Sequence, residues 1–212
     1  MGNRSDMLKR RIIPLLLWLD GRVVKTVRFG SPRVVGRLES LAAVYSDQDA
    51  DELIILDISP RQDAEPSPVY RELERVIERV RCPVAFGGNV QTMTEVDRLF
   101  QLGVEKICLP SHHLIDDLVA QVGQKFGSQA VTVSVDILEK ENAPQVVTNR
   151  GARPTEQDLF QILEMCRERG AGELLVQDVK KDGTGSGLNL RVLTDIRNHI
   201  EIPLIGAGGV GN

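Results

Sequence analysis

Along the chain, short runs that are apolar at nearly every position alternate with longer segments whose apolar residues recur at helical spacing. The runs are Ile12–Leu17, Leu53–Ile58, Val84–Phe86, Ile107–Leu109, Val131–Val135, Leu174–Val176 and Leu204–Ala207. A strand covered on both faces has this character, as in parallel sheets, whereas a half-exposed strand alternates. Between the runs, Val35–Tyr45, Tyr70–Val80, Thr94–Leu102, Asp116–Phe126, Glu156–Arg169 and Leu190–His199 are amphipathic and predict helices. Gly103 and Gly170 follow two of these segments and suit C-caps. Strand–helix alternation at this spacing defines βαβ units and an α/β fold. No low-complexity linker divides the chain. It reads as a single domain over residues 7–212, behind a polar leader at residues 1–6, with Met7 read as a start.

An internal repeat narrows the architecture. Glu52-Leu53-Ile54 returns as Glu173-Leu174-Leu175, and Asp57 as Asp178, both at an offset of 121 residues. Pro83 followed by Gly87-Gly88 returns as Pro203 followed by Gly208-Gly209. Leu17 corresponds to Asp136. About four βα units are therefore duplicated, and two such halves build a (β/α)₈ TIM barrel. By the same offset, strand eight and its helix fall after Asn212 and are expected to be missing from this chain. That deficit leaves two raw sheet edges, explained either by truncation or by completion through a partner.

The bulk numbers exclude more than they identify. Of 212 residues, 42% are hydrophobic and 26% charged, as in an ordinary globular protein. Aromatics are only 4%, so the core is expected to be aliphatic. The net charge of −4 and the lack of a basic run give no footprint for nucleic acid or a membrane surface. No apolar run reaches the roughly 18 residues of a membrane span. Cys82, Cys108 and Cys166 have no metal-ligand spacing and read as free thiols of a reducing, cytoplasmic setting.

Chemistry in such barrels gathers at the C-terminal ends of the strands. Gly87-Gly88 and Gly208-Gly209 follow strands three and seven there. They are either phosphate-cradling loops, suggesting a substrate with a phosphate at each end, or tight turns. Asp182-Gly183-Thr184-Gly185-Ser186-Gly187 follows strand six as a further Gly-rich loop. Asp136 ends strand five and is a candidate general acid/base; its repeat mate, Leu17, cannot transfer a proton. Asp57 and Asp178 can orient groups or cap helices. Lys25, after strand one, can meet an anion or simply be exposed. His112 and His113 are expected at the surface start of a helix. At the opposite end, Arg11, Glu52, Lys106 and Glu173 each precede a strand core. They form either isolated ion pairs of little value or a ring across the barrel floor.

Several segments resemble the cyclase subunit of imidazole glycerol phosphate synthase. They are Arg11-Ile12-Ile13-Pro14, Asp20-Gly21-Arg22-Val23-Val24-Lys25, Asp51-Glu52-Leu53, Phe126-Gly127-Ser128-Gln129, Gly170-Ala171-Gly172-Glu173, Asp182-Gly183-Thr184 and Gly208-Gly209-Val210-Gly211-Asn212. The resemblance runs from about Met7 to Asn212. It implies a separate glutaminase docked at the barrel bottom, ammonia crossing a gate of Arg11, Glu52, Lys106 and Glu173, and a phosphorylated small molecule at the top. It implies two acid/base aspartates, which fall on Leu17 and Asp136. The substrate and phosphate positions fall on Lys25, Asp57, Gly87, Gly88, Asp182, Gly183, Thr184, Gly208 and Gly209. Neither metal nor cofactor is implied.

The chain departs from that pattern at Leu17, and also at Asn89, Pro110 and Lys180, which stand for a glycine, an asparagine and an acidic residue. A paralogous branch from bacterial surface-polysaccharide pathways fits these departures better, with segments like Pro14-Leu15-Leu16-Leu17 and Val24-Lys25-Thr26-Val27-Arg28-Phe29. Three readings follow. The first is an ammonia-conducting subunit of a glutamine amidotransferase, working with a sugar amidotransferase. The second is a histidine-pathway cyclase. The third is a scaffold or glutaminase activator.

Overall fold

The computed structural model describes residues 10–60, 68–140, 143–149 and 151–211. The leader at residues 1–6, Met7 and Asn212 lie outside the described residues. Among the described residues, eleven strands form one sheet. In chain order the elements are β1 (Leu15–Leu19), β2 (Arg22–Lys25), β3 (Arg33–Gly36), α1 (Leu38–Asp47), β4 (Leu53–Asp57) and α2 (Val69–Arg79). They continue with β5 (Val84–Gly87), α3 (Met93–Leu102), β6 (Lys106–Pro110), α4 (Leu118–Phe126), β7 (Val131–Glu139), β8 (Pro144–Thr148) and β9 (Arg153–Pro154). The last are α5 (Leu159–Glu168), β10 (Glu173–Asp178), α6 (Leu190–His199) and β11 (Leu204–Ala207).

Seven of these strands, in the spatial order β11-β10-β7-β6-β5-β4-β1, pair in parallel, and in chain order a helix follows each of them but β11 among the described residues. The result is a mostly parallel α/β sheet of the TIM-barrel type. The seven expected strands are all present. No helix among the described residues is long and apolar enough to cross a membrane.

Two antiparallel hairpins were not legible as strands. β2 and β3 extend β1, and β8 and β9 extend β7. The first has a local signal in Asp20-Gly21, which adopt positive φ values of 44° and 85° between Leu19 and Arg22. A two-residue turn with both φ positive matches the twist of the strands it joins. Arg33–Gly36 pairs with β2, so α1 begins at Leu38 rather than Val35; β-branched Val34 and Val35 favour the strand. β1 begins at Leu15 rather than Ile12, because Pro14 has no N–H for the ladder, although its carbonyl accepts from Ile54. β7 runs past Asp136 to Glu139, so Asp136 lies within a strand rather than at its end. Leu17 likewise lies in mid-strand. The two hold equivalent places, Leu17 opposite Val24 and Asp136 opposite Val147.

The sheet buries both faces. Its outer face packs on the helices through residues such as Leu16, Trp18, Leu53, Ile55, Phe86 and Ile107. Its inner face forms a separate apolar cluster around Ile54, Ala85, Cys108 and Leu175. Alternation along each strand assigns side chains to the two. Caps fix the helices in register with this frame. Thr92 and Glu95 form a capping box on α3, Asp158 and Gln161 one on α5, and Gly103 closes α3 in the left-handed conformation. The segment before α4 is a 3₁₀ turn, Ser111–Leu114, because Asp117 at φ 63° breaks the helix. His113 is therefore not a surface residue: it is 4% exposed, with Nδ1 2.6 Å from Asp116. His112 is exposed.

Loss of one cap removes a hydrogen bond to an otherwise orphaned N–H. Thr92→Ala is expected to lower stability by about 1 kcal/mol. Urea unfolding should show a lower midpoint at an unchanged slope.

Candidate functional site

The inward positions build a column from floor to mouth. At the floor, β4, β6, β10 and the lead-in to β1 bring Glu52, Lys106, Glu173 and Arg11 together. Glu52 Oε2 accepts from Arg11 Nη1 at 2.8 Å and from Lys106 Nζ at 2.9 Å. Glu173 accepts from Arg11 Nη2 at 2.5 Å through Oε1 and from Lys106 Nζ at 2.8 Å through Oε2. The four groups thus form a closed circuit of alternating sign rather than separate surface pairs. The carboxylates are deep, with Glu52 2% and Glu173 8% exposed, while the Arg11 side chain is 34% exposed. Thr132 Oγ1 also donates to Glu173, at 3.4 Å, and Glu52 Oε1 has no hydrogen-bond partner among the described residues. Buried charge is tolerated when it is paired in this way, and breaking one such pair typically costs about 3–5 kcal/mol.

Above the circuit lies the apolar inner cluster of Ile54, Ala85, Cys108 and Leu175, with Leu15 and Ile205 packed against it. Burial pushes the Cys108 thiol up to about 12, so it stays protonated.

At the mouth is a cavity of about 160 Å³ whose lining includes Leu17, Leu56, Ser134, Asp136 and Gln177. Asp136 is half-buried. Its carboxyl is pushed up to about 7, by burial first and then by the negative charge of Asp182. Leu17, its counterpart on β1, lines the same cavity and supplies only a methyl-bearing wall.

The segment Thr26–Pro32 covers this cavity, and Asp182 fastens it. Asp182 Oδ2 accepts from Thr26 Oγ1 at 2.7 Å and from the Phe29 N–H at 3.1 Å, and its carbonyl accepts from the Arg28 N–H at 2.9 Å. Arg28 and Phe29 both have positive φ, near 53° and 55°. That conformation is costly for bulky residues and persists here because three hydrogen bonds determine it. Phe29 thereby lies against the cavity.

The remaining predicted positions do not line the cavity. Lys25 is exposed at the end of β2, on the hairpin rather than directly after the first strand. Gly88 and Gly208 have positive φ, and a Cβ on either would lie 2.0 Å or 2.5 Å from the carbonyl oxygen of Asp57 or Asp178. Close backbone packing alone therefore requires glycine at both. Gly87 similarly abuts Cys108, and Gly209 abuts Gly187. Asp57 accepts from the Ser59 N–H at 2.9 Å; burial raises its carboxyl, against the hydrogen bonds of Ser59 and Asn89. Asp178 accepts from the N–H groups of Lys180 and Lys181, and its other oxygen from Asn189 at 2.9 Å. Both aspartates hold the turn after their strand. Gly183 packs on the Thr26 carbonyl. Thr184 Oγ1 donates to the Lys181 carbonyl at 2.7 Å.

Sequence reasoning missed Thr132, Ser134, Gln177 and Phe29. For the first three a signal existed: each is polar within an otherwise apolar strand and two residues from another inward position. Phe29 had none, because it is placed by a contact with Asp182, 153 residues away.

Fold and site together define a TIM-barrel-type α/β protein with an ionic circuit at one end of its lumen and an acidic pocket at the other. The family described as "Histidine biosynthesis protein" matches residues 11–212, and the chain belongs to it. Similar proteins include "Imidazole glycerol phosphate synthase subunit HisF" of Gluconacetobacter diazotrophicus, 38% identical, covering 97% of this chain and 80% of that protein. The protein of the same description from Exiguobacterium sibiricum is 35% identical, covering 97% and 82%. The "Putative imidazole glycerol phosphate synthase subunit hisF2" of Pseudomonas aeruginosa is 31% identical, with the same coverage.

The raised carboxyl makes a signed prediction. Asp136 binds its proton more tightly folded than unfolded, so its contribution to stability is full below pH about 4 and is lost as pH rises toward about 7. Asp136→Asn is expected to abolish that decline and to be more stable than the parent at pH 8. Guanidinium unfolding at pH 5 and pH 8 measures it; an identical pH dependence in both proteins contradicts the assignment.

Proposed function

We propose that this chain is an ammonia-receiving synthase subunit of a glutamine amidotransferase, and that it serves amidination of a surface-polysaccharide sugar. A separate glutaminase docks at the floor, and ammonia passes the circuit of Arg11, Glu52, Lys106 and Glu173. It crosses the apolar layer as the neutral molecule and leaves at the mouth, where a sugar amidotransferase takes it up. The observation that carries this reading is the pairing of an intact ionic circuit with a mouth that has Asp136 but Leu17 opposite. Ammonia handling needs the first and does not need a second carboxylate. The offset of 121 residues and the equivalent hairpins support a design of two half-barrels.

A second reading is the cyclase of imidazole glycerol phosphate synthase in histidine biosynthesis, with Asp136 as sole acid/base. The family and the names of the relatives favour it. In that case the positions at Gly87, Gly88, Gly208 and Gly209 receive substrate phosphates, with Lys25, Asp57, Asp182, Gly183 and Thr184 around them.

Ammonia-dependent cyclase turnover, measured without any glutaminase, separates the two. A positioned acid/base contributes roughly 10²–10⁴-fold in rate. The proposal expects no turnover in the parent and measurable turnover in Leu17→Asp. Clear turnover in the parent, abolished in Asp136→Asn, would establish the histidine-pathway reading instead. Independently, Lys106→Ala is expected to uncouple glutamine hydrolysis from ammonia use in the complex. Full coupling in that variant, by the ratio of glutamate released to amidinated product, would sink the gate.

A further inference from the structure

The cavity at the mouth has a chemical character that ammonia passage alone does not require. At about 160 Å³ it is several times larger than one ammonia molecule needs. An apolar cavity of this size holds a ligand about as bulky as benzene. Leu17, Leu56, Ile58 and the Phe29 ring supply a wall suited to a short hydrocarbon body. The polar groups on it are Thr26, Ser134, Asp136 and Gln177, and among the described residues no lysine, arginine or histidine lines it. A phosphate or carboxylate entering it would meet the Asp136 carboxyl group.

We propose that this pocket binds a small primary amine as its ammonium ion, with Asp136 as counter-ion. An ammonium group has three donors and no acceptor. The Asp136 carboxylate, the side-chain carbonyl of Gln177 and the hydroxyl oxygens of Ser134 and Thr26 provide acceptors around it. Thr26 already donates its hydroxyl hydrogen to Asp182, which leaves its oxygen lone pairs free to accept. Phe29 adds the attraction of an aromatic face for a cation. The inference rests on the pocket and stands whether or not ammonia crosses the lumen.

The site also carries its own pH dependence. The groups facing Asp136 are Asp182 from the loop after β10 and the protonated Cys108 thiol from β6. From β1, β4 and β10 come the uncharged Leu17, Leu56 and Gln177. A primary amine remains protonated well above neutrality, so ionisation of Asp136 sets the affinity. With that group at about 7, its ionised fraction, and so the affinity, rises about tenfold from pH 6 to pH 8.

The test is a calorimetric titration of the protein with n-butylammonium chloride at pH 6 and pH 8, beside n-butanol, sodium butyrate and methyl phosphate. Saturable binding of butylammonium, about tenfold tighter at pH 8, with the other three at least tenfold weaker, is expected. Asp136→Asn should abolish it. Phe29→Leu, half-buried in a surface loop and outside the core clusters, should weaken it about two- to fivefold, as loss of roughly 0.5–1 kcal/mol of cation–π attraction implies. Equal binding of butanol, butyrate or methyl phosphate overturns the proposal, as does undiminished butylammonium affinity in either variant. The titration involves neither glutaminase nor ammonia flux, so its failure leaves the coupling of the floor circuit a separate question.

Discussion

The inner face of the sheet has to be filled, and the charges at its floor make that filling possible only in one arrangement. Glu52 and Glu173 are buried, and each is held by both Arg11 and Lys106. The circuit has no net charge, and it draws on four different parts of the chain. Pairing the four groups in one closed loop requires β1, β4, β6 and β10 to hold their register, because a shift of one residue would turn each charge into the outer core. The apolar layer above depends on that neutrality, and the mouth depends on the layer, since it isolates the Asp136 carboxyl from cations below.

At the mouth, the same low-dielectric logic runs with no partner cation among the described residues. Asp136 is desolvated by burial and has a negative neighbour in Asp182, so its proton is held to about neutrality. Asp182 has a second task, in fixing Arg28 and Phe29 in a backbone conformation they would not adopt freely. One side chain thus shapes both the cover of the cavity and its electrostatics. The glycines that suggested phosphate loops meet a simpler demand first, which is room for the carbonyls of Asp57 and Asp178.

Much of this was legible in the sequence because it depends on local pattern. Apolar runs located the seven parallel strands, and Leu204–Ala207 and Leu190–His199 matched to the residue. The floor charges were legible because each stands immediately before a strand core, so a barrel must gather them. The hairpins were hidden: Arg33–Gly36 is short and lies in a stretch that reads as helix, and β8 carries no run long enough to register. The burial of His113 depends on a break at Asp117 that no periodicity announces. The cover over Asp136 was hidden for a stronger reason, since Phe29 and Asp182 are joined only after the sheet has curled.

The floor circuit also divides unevenly along the chain. Arg11, Glu52 and Lys106 come from the first repeat and leave one positive charge in excess, while Glu173 from the second leaves one negative. Neither repeat is self-sufficient as an electrostatic unit, and Thr26 with Asp182 adds a second tie between them at the other end. The two parts of the chain are complementary rather than interchangeable: a second copy of either one, placed against itself, would leave an excess of one sign of charge at the floor.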